Sequence, residues 1–173
     1  MAGLLCLCPC AVARAGTPDR VPAAYRLAAR QAGVPAAVLY AVALQESGMR
    51  FRGRLVPWPW TLDVAGRSLR FATRLEACIG LHRAIARVTL RQIDAGLGQI
   101  NLGYQAGRYA FPCELLDPYR NLAIAARILR EQHAAGGDWL AAIGRYHRPA
   151  GGAAAARYRR SVRRHLVEVL MPG

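Results

Sequence analysis

Glu46 stands where its neighbours suit a charge poorly. In the segment Ala41-Val42-Ala43-Leu44-Gln45-Glu46-Ser47-Gly48, Val38, Val42 and Glu46 recur at i, i+4 and i+8, so the carboxyl belongs to the apolar stripe of a helix. It also falls in the last helical turn, where the negative end of the macrodipole disfavours a second negative charge. Burial and the helix terminus both favour the neutral form and predict a raised pKa, the property a general acid needs. A surface ion pair between Glu46 and Arg50 is the plainer alternative, worth about 0.3–0.5 kcal/mol. Gly48 is expected to end the helix before Arg50 reaches that geometry.

Two further segments offer polar groups. Ile93-Asp94-Ala95-Gly96-Leu97-Gly98-Gln99-Ile100-Asn101 combines glycines, which let backbone approach a ligand, with the Gln99 and Asn101 amides, which suit sugar hydroxyls and acetamido groups. Ala142-Ile143-Gly144-Arg145-Tyr146-His147 presents Tyr146, either a core aromatic or a hydrogen-bond partner. The 4 histidines are scattered, with no His-x-x-x-His pair, and no metal site and no cofactor are expected. Nor does a Gly-x-Ser-x-Gly element point to a serine nucleophile.

The elements that must hold these groups read as helix after helix. A first helix, with Thr17 or Asp19 as its cap, runs through Tyr25 and Leu27 to Gly33, and a second runs from Val34 to Ser47 with Pro35 in its first turn. Trp58-Pro59-Trp60 interrupts the pattern, and 61–64 and 68–71 alternate around Ala65-Gly66-Arg67 as a small hairpin. Helical spacing returns over Thr73 to Val88. Asp117-Pro118 opens a fourth helix with Leu122, Ala125, Ala126 and Leu129 on one face, and Asp138 caps a short helix to Tyr146. After the break at Pro149-Ala150-Gly151-Gly152, the last helix spans Ala153 to Leu170. The expected fold is mainly α with one small β-hairpin, in a single domain over residues 16–173.

Composition narrows the function. All 24 basic residues of the 173 are arginine, against 10 acidic residues, for a net charge of +14. Without lysine there is no P-loop and no Schiff base. Such a charge favours polyanions, among them nucleic acid, anionic membrane surfaces and cell-envelope polymers. No apolar run reaches the roughly 18–20 residues of a membrane span. Residues 1–15 resemble an export signal: an apolar run from Leu4 to Val12 precedes Ala13-Arg14-Ala15, although no positive residue comes before Arg14. Removing that leader removes Cys6, Cys8 and Cys10 and leaves Cys78 and Cys113. In an oxidising compartment these two admit one disulfide, worth about 3–4 kcal/mol; otherwise they are reduced core thiols.

In order and spacing, the three segments resemble the catalytic domain of soluble-type lytic transglycosylases, a lysozyme-like family. Its signature is a helix ending in Glu-Ser, a Gly-Leu-Met-Gln-Ile turn and an Ala-x-x-Tyr-Asn segment. The counterparts here are Gln45-Glu46-Ser47, Gly96-Leu97-Gly98-Gln99-Ile100-Asn101 and Ala142-Ile143-Gly144-Arg145-Tyr146-His147. Pro59-Trp60-Thr61-Leu62-Asp63-Val64 and Ile93-Asp94 are similar to the branch attached to conjugation, pilus and type IV secretion systems. The resemblance spans roughly residues 19–165. It implies a lysozyme-like helical domain, an exported periplasmic protein, peptidoglycan strands as substrate and a secretion or conjugation machine as partner. Glu46 becomes catalytic acid and base; Ser47, Gly98, Gln99, Asn101 and Tyr146 become substrate-site residues, with Tyr146 expected to hydrogen-bond the carboxylate. Gly98 replaces a methionine that would line the sugar cleft, and His147 replaces an asparagine.

The chemistry so implied cuts the β-1,4 bond between N-acetylmuramic acid and N-acetylglucosamine and closes a 1,6-anhydro ring. One carboxyl suffices because the substrate supplies the nucleophile. Asp63, Asp94 and Asp117 are available as a second carboxylate, which keeps a hydrolytic muramidase as the near alternative. From another class comes a helical nucleic-acid binder, since Arg157, Tyr158, Arg159, Arg160, Arg163 and Arg164 crowd eight residues of the last helix. The apolar Val162, Leu166, Val169 and Leu170 favour a solvated basic face instead, so no nucleic-acid partner is expected. A fold that has lost activity and serves as an envelope scaffold is a third reading.

Overall fold

The computed structural model describes residues 21–171, and the expected leader with Cys6, Cys8 and Cys10 lies outside them. Six α-helices occur among these residues: α1 (Ala23–Ala32), α2 (Ala36–Ser47), α3 (Arg74–Ile85), α4 (Pro118–Ala134), α5 (Trp139–His147) and α6 (Gly152–Leu170). Polar caps set several of their starts. Thr73 forms a capping box with Glu76, and the Asp117 and Asp138 carboxylates accept from the Arg120 and Ala141 amides. Pro22 occupies the cap position of α1; the expected cap residues, Thr17 and Asp19, lie outside the described residues. No single described helix is long and apolar enough to cross a membrane.

Helix α2 is buried on nearly every side. Val38, Leu39, Ala41, Val42, Ala43, Leu44 and Ser47 are all buried, because α2 packs against α1 and along α6 while α6 contacts α5, α5 contacts α4 and α4 returns to α1. Five helices thus close a ring, and the carboxyl-terminal end of α2 opens into the β region. There Gly48 enters a strand directly, with extended backbone. A Cβ at Gly48 would lie 2.2 Å from the Leu44 carbonyl oxygen, so the helix-to-strand bend needs glycine.

The β structure exceeds the expected hairpin. Strands β1 (Gly48–Phe51) and β2 (Arg54–Pro57) form a separate two-stranded sheet, turning at Arg52 and Gly53, both with positive φ. The expected hairpin is present as β3 (Thr61–Val64) and β4 (Arg67–Arg70). It continues into β5 (Ile93–Ala95) and β6 (Ile100–Asn101), giving a four-stranded antiparallel sheet in the order β4-β3-β5-β6. The glycine-punctuated segment is therefore the β5–β6 connection. Cross-strand register places Asp63 opposite Asp94 and Asp94 opposite Asn101. Leu62, Ile93 and Ile100 seal the sheet against the helical core, with exposures of 0–1%.

Cys78 on α3 and Cys113 in the 3-10 turn Pro112–Leu116 form a disulfide with a Cα–Cα distance of 5.4 Å. It encloses the whole β5–β6 connection.

Candidate active site

Glu46 lies one residue from the end of α2 and is partly buried. Its Oε1 accepts a hydrogen bond from the Tyr158 hydroxyl at 2.5 Å. Burial pushes its pKa up to about 7; the Tyr158 bond pulls down, and the Asp94 charge adds to the rise. The raised carboxyl expected from the helical stripe is thus realised, with desolvation as the main cause. Arg50 departs on β1, exposed, and the surface pair with Glu46 does not form.

Tyr158 replaces Tyr146 in the role expected beside the acid. The Tyr146 hydroxyl donates to the Gly98 carbonyl at 2.6 Å. Tyr146 still feels the Glu46 and Asp94 charges, which together with burial hold its own proton tightly. It braces the glycine turn, and α6 supplies the donor to the acid. Tyr158 is 8% exposed and its ring stacks on His147 at 4.6 Å between centroids and 5° between planes. An aromatic turned inward this way has no free face for a nucleic-acid base, which removes one support of the nucleic-acid reading. His147 covers the tyrosine that bonds the acid.

The β5–β6 connection is fixed from three sides. The Ser47 hydroxyl, fully buried, is shared between the Ala43 and Leu97 carbonyls at 3.0 and 2.8 Å. Asn121 on α4, also fully buried, accepts from the Gly98 amide at 2.7 Å and donates to the Ala95 and Leu115 carbonyls, each at 2.8 Å. Gln99, at φ 45°, turns its amide nitrogen back onto the Thr61 and Gly96 carbonyls. Ser47 therefore ties the end of α2 to the turn.

Gly98 corrects a second expectation. A Cβ there would lie 2.7 Å from the Ala125 methyl and 2.9 Å from the Tyr146 hydroxyl. The position faces α4 and Tyr146, so a methionine has no room in this packing. Asn101 is likewise a scaffold residue: its amide nitrogen donates to the Arg91 carbonyl and to Asp94 Oδ1, and its oxygen accepts from the Gly103 and Tyr104 amides.

Asp94 is the second acid of the site. Burial raises its pKa to about 6; the Asn101 bond opposes this and the cross-strand Asp63 charge adds to it. Trp58 donates its amide to the Ser47 carbonyl at 3.0 Å and stands edge-on to Trp60, which places two indoles next to the end of α2. Composition and spacing left Asn121 unmarked and offered Tyr158 only as part of a nucleic-acid-binding run, not as a partner of the acid. Tyr158 is separated from Glu46 by 112 residues and sits in an arginine run, while Asn121 reads as an ordinary first-turn helix residue. A large cavity, about 520 Å³, lies between the β3–β4 hairpin and α3 among Leu69, Phe71, Val88 and several arginines, and none of the site residues lines it.

One cluster of ligand-type side chains lies apart from these residues. Cys78, His82 and Cys113 bring their ligand atoms within 4.8 Å of one another, with the two sulfurs joined as the disulfide. Cys78 and His82 are i, i+4 on α3, a spacing that a search confined to histidine pairs passes over.

Comparison with protein-family models, with curated proteins and with solved structures returns no match to this chain.

Proposed function

We propose that the chain is a peptidoglycan lytic transglycosylase whose acid and base is Glu46. The observation that carries this reading is the Glu46 environment: a partly buried carboxyl with a pKa near 7, reached by one hydroxyl donor and bordered by a braced glycine turn. A carboxyl that is roughly half protonated at neutral pH can give a proton to a glycosidic oxygen and take one back in the next step. In this scheme Glu46 protonates the leaving oxygen of the β-1,4 bond. The substrate's acetamido group stabilises the positive charge developing at the anomeric carbon. Glu46, now ionised and held by the Tyr158 hydroxyl, removes the proton of the muramic C6 hydroxyl as that oxygen closes the anhydro ring. Cleavage of the envelope polymer in the periplasm, to open the wall locally for a secretion or conjugation machine, is the setting that the family resemblance supplies.

Asp94 supports a second reading. Its charge acts on Glu46, and with water as the nucleophile a second carboxylate would make the chain a hydrolytic muramidase. Incubating the purified protein with peptidoglycan sacculi and weighing the released muropeptides separates the two. Anhydro ends are expected; free reducing ends alone would make the enzyme a hydrolase, and intact sacculi would reject both.

A further inference from the structure

The Cys78–Cys113 disulfide has a third neighbour that bonding between sulfurs does not require. His82 Nε2 lies 3.6 Å from Cys113 Sγ. Tetrahedral zinc, with bonds of about 2.3 Å to sulfur and about 2.0–2.1 Å to nitrogen, spaces a sulfur and a nitrogen ligand by roughly 3.5 Å. One edge of a zinc polyhedron is therefore already at length. Cys78 and His82, one helical turn apart on α3, present their side chains on the same face. Cys113 enters from the 3-10 turn across a Cα–Cα distance of 5.4 Å, and roughly 3.8 Å between its sulfur and that of Cys78 would complete the second edge. His82 is exposed and Cys78 and Cys113 are half-buried, so an ion has a way in.

We infer that Cys78, His82 and Cys113 form a reduction-gated site for a thiolate-seeking divalent ion of the zinc type, with water in the fourth position. In the gating step a dithiol reductant gives two electrons and two protons to the disulfide: the Cys78–Cys113 sulfur–sulfur bond breaks, and the reductant's two sulfurs become bonded to each other. The ion then displaces the two thiol protons and is held by two thiolates and the His82 imidazole. Two thiolates neutralise the doubly charged ion, which suits a neighbourhood where Arg74 already donates to the Cys113 carbonyl. Either bridge, covalent or metal, ties α3 to the turn that leads into α4, so the same junction stays closed in an oxidising and in a reducing compartment. This inference is independent of the reading of Glu46.

The test uses the full chain with Cys6, Cys8 and Cys10 changed to serine, which removes the other thiols, and cobalt(II) as a coloured stand-in for zinc. After reduction by a phosphine, one equivalent of cobalt should give the thiolate-to-metal absorption and the visible bands of a tetrahedral site, and zinc should abolish them. The oxidised chain should give neither. His82→Ala, at an exposed helical position, should keep the melting curve and weaken cobalt binding at least tenfold, and His82→Cys should restore it. A reduced chain with two titratable thiols and no thiolate-to-cobalt absorption would overturn the site. So would a His82→Ala chain that binds cobalt as tightly as the unsubstituted one.

Discussion

Helix α6 and strand β5 act on Glu46 with opposite sign. From α6 the Tyr158 hydroxyl donates a proton bridge that favours the carboxylate; from β5 the Asp94 charge favours the neutral acid. Their mounting differs as well. Tyr158 is held by packing, through the stack on His147 and the burial of α6 against α2 and α5. Asp94 is held by pairing, through the β3 and β6 ladders and the Asn101 amide. A carboxyl caught between a donor and a like charge in a poorly solvated pocket titrates near neutrality, and each neighbour alone would move it away. In the proposed mechanism the helical side would favour taking a proton back, and the sheet side giving one.

The most severe way to break this balance is to remove the titrating group. Glu46→Gln keeps the shape and an oxygen for Tyr158, and it should cut turnover of sacculi by about 10²–10⁴-fold. The same change should stabilise the fold at alkaline pH. With a folded pKa raised from 4.5 to about 7, Glu46 contributes stability that is complete below the unfolded value and lost as pH rises through the folded one. Denaturant melts should therefore show Glu46→Gln gaining about 1–3 kcal/mol on the native chain between pH 4 and pH 8.

Next in size is the mount of the β5–β6 connection. Asn121→Ala strands the Gly98 amide and the Ala95 and Leu115 carbonyls without partners, and unfolding should become easier by roughly 2–4 kcal/mol. A melting temperature equal to that of the native protein would show that Asn121 braces nothing.

Two smaller changes test the opposition itself. Tyr158→Phe removes the donor, so the Glu46 pKa should rise and the alkaline limb of the pH–rate profile should move to higher pH, with activity falling roughly tenfold or less. Asp94→Asn removes the like charge and should move that limb to lower pH, with the smallest change in rate at the optimum. Limbs that move in the same direction, or not at all, would dissolve the comparison. Tyr146→Phe, which loses only a bond to the Gly98 carbonyl, should leave the limb in place.

What could be read from the sequence is what is local. The α2 stripe put Glu46 on a buried face, and Asp117, Asp138 and Thr73 marked helix starts because a cap needs only residues three apart. Arithmetic on the cysteines admitted the Cys78–Cys113 bridge but left it open against two reduced thiols, and the structure shows the bridge. The partners of Glu46 were not readable, because they arrive from β5 and α6, 48 and 112 positions away, and no local periodicity encodes that meeting. Tyr146 and Tyr158 are both tyrosines on late helices packed on one another, and only the three-dimensional register decides which hydroxyl reaches the acid. The β1–β2 hairpin was hidden by Arg52-Gly53, a turn whose first residue is not among the usual formers of positive φ. At Gly98 the expectation drawn from the resemblance fails, since the space that a methionine would fill belongs to Tyr146 and Ala125.

The distance along the chain between Glu46 and Tyr158 has a consequence for biosynthesis. During translation the acid leaves the ribosome long before its donor, and every intermediate that stops short of α6 carries a Glu46 without Tyr158 or the His147 stack. Such a nascent chain also leaves one flank of α2 open to solvent, since α6 closes the helical ring. A bare, solvated glutamate returns toward its ordinary acidity and is fully ionised at neutral pH. On the proposed reading such a carboxyl has no proton to give a leaving group, and the unfinished polypeptide is expected to lack activity.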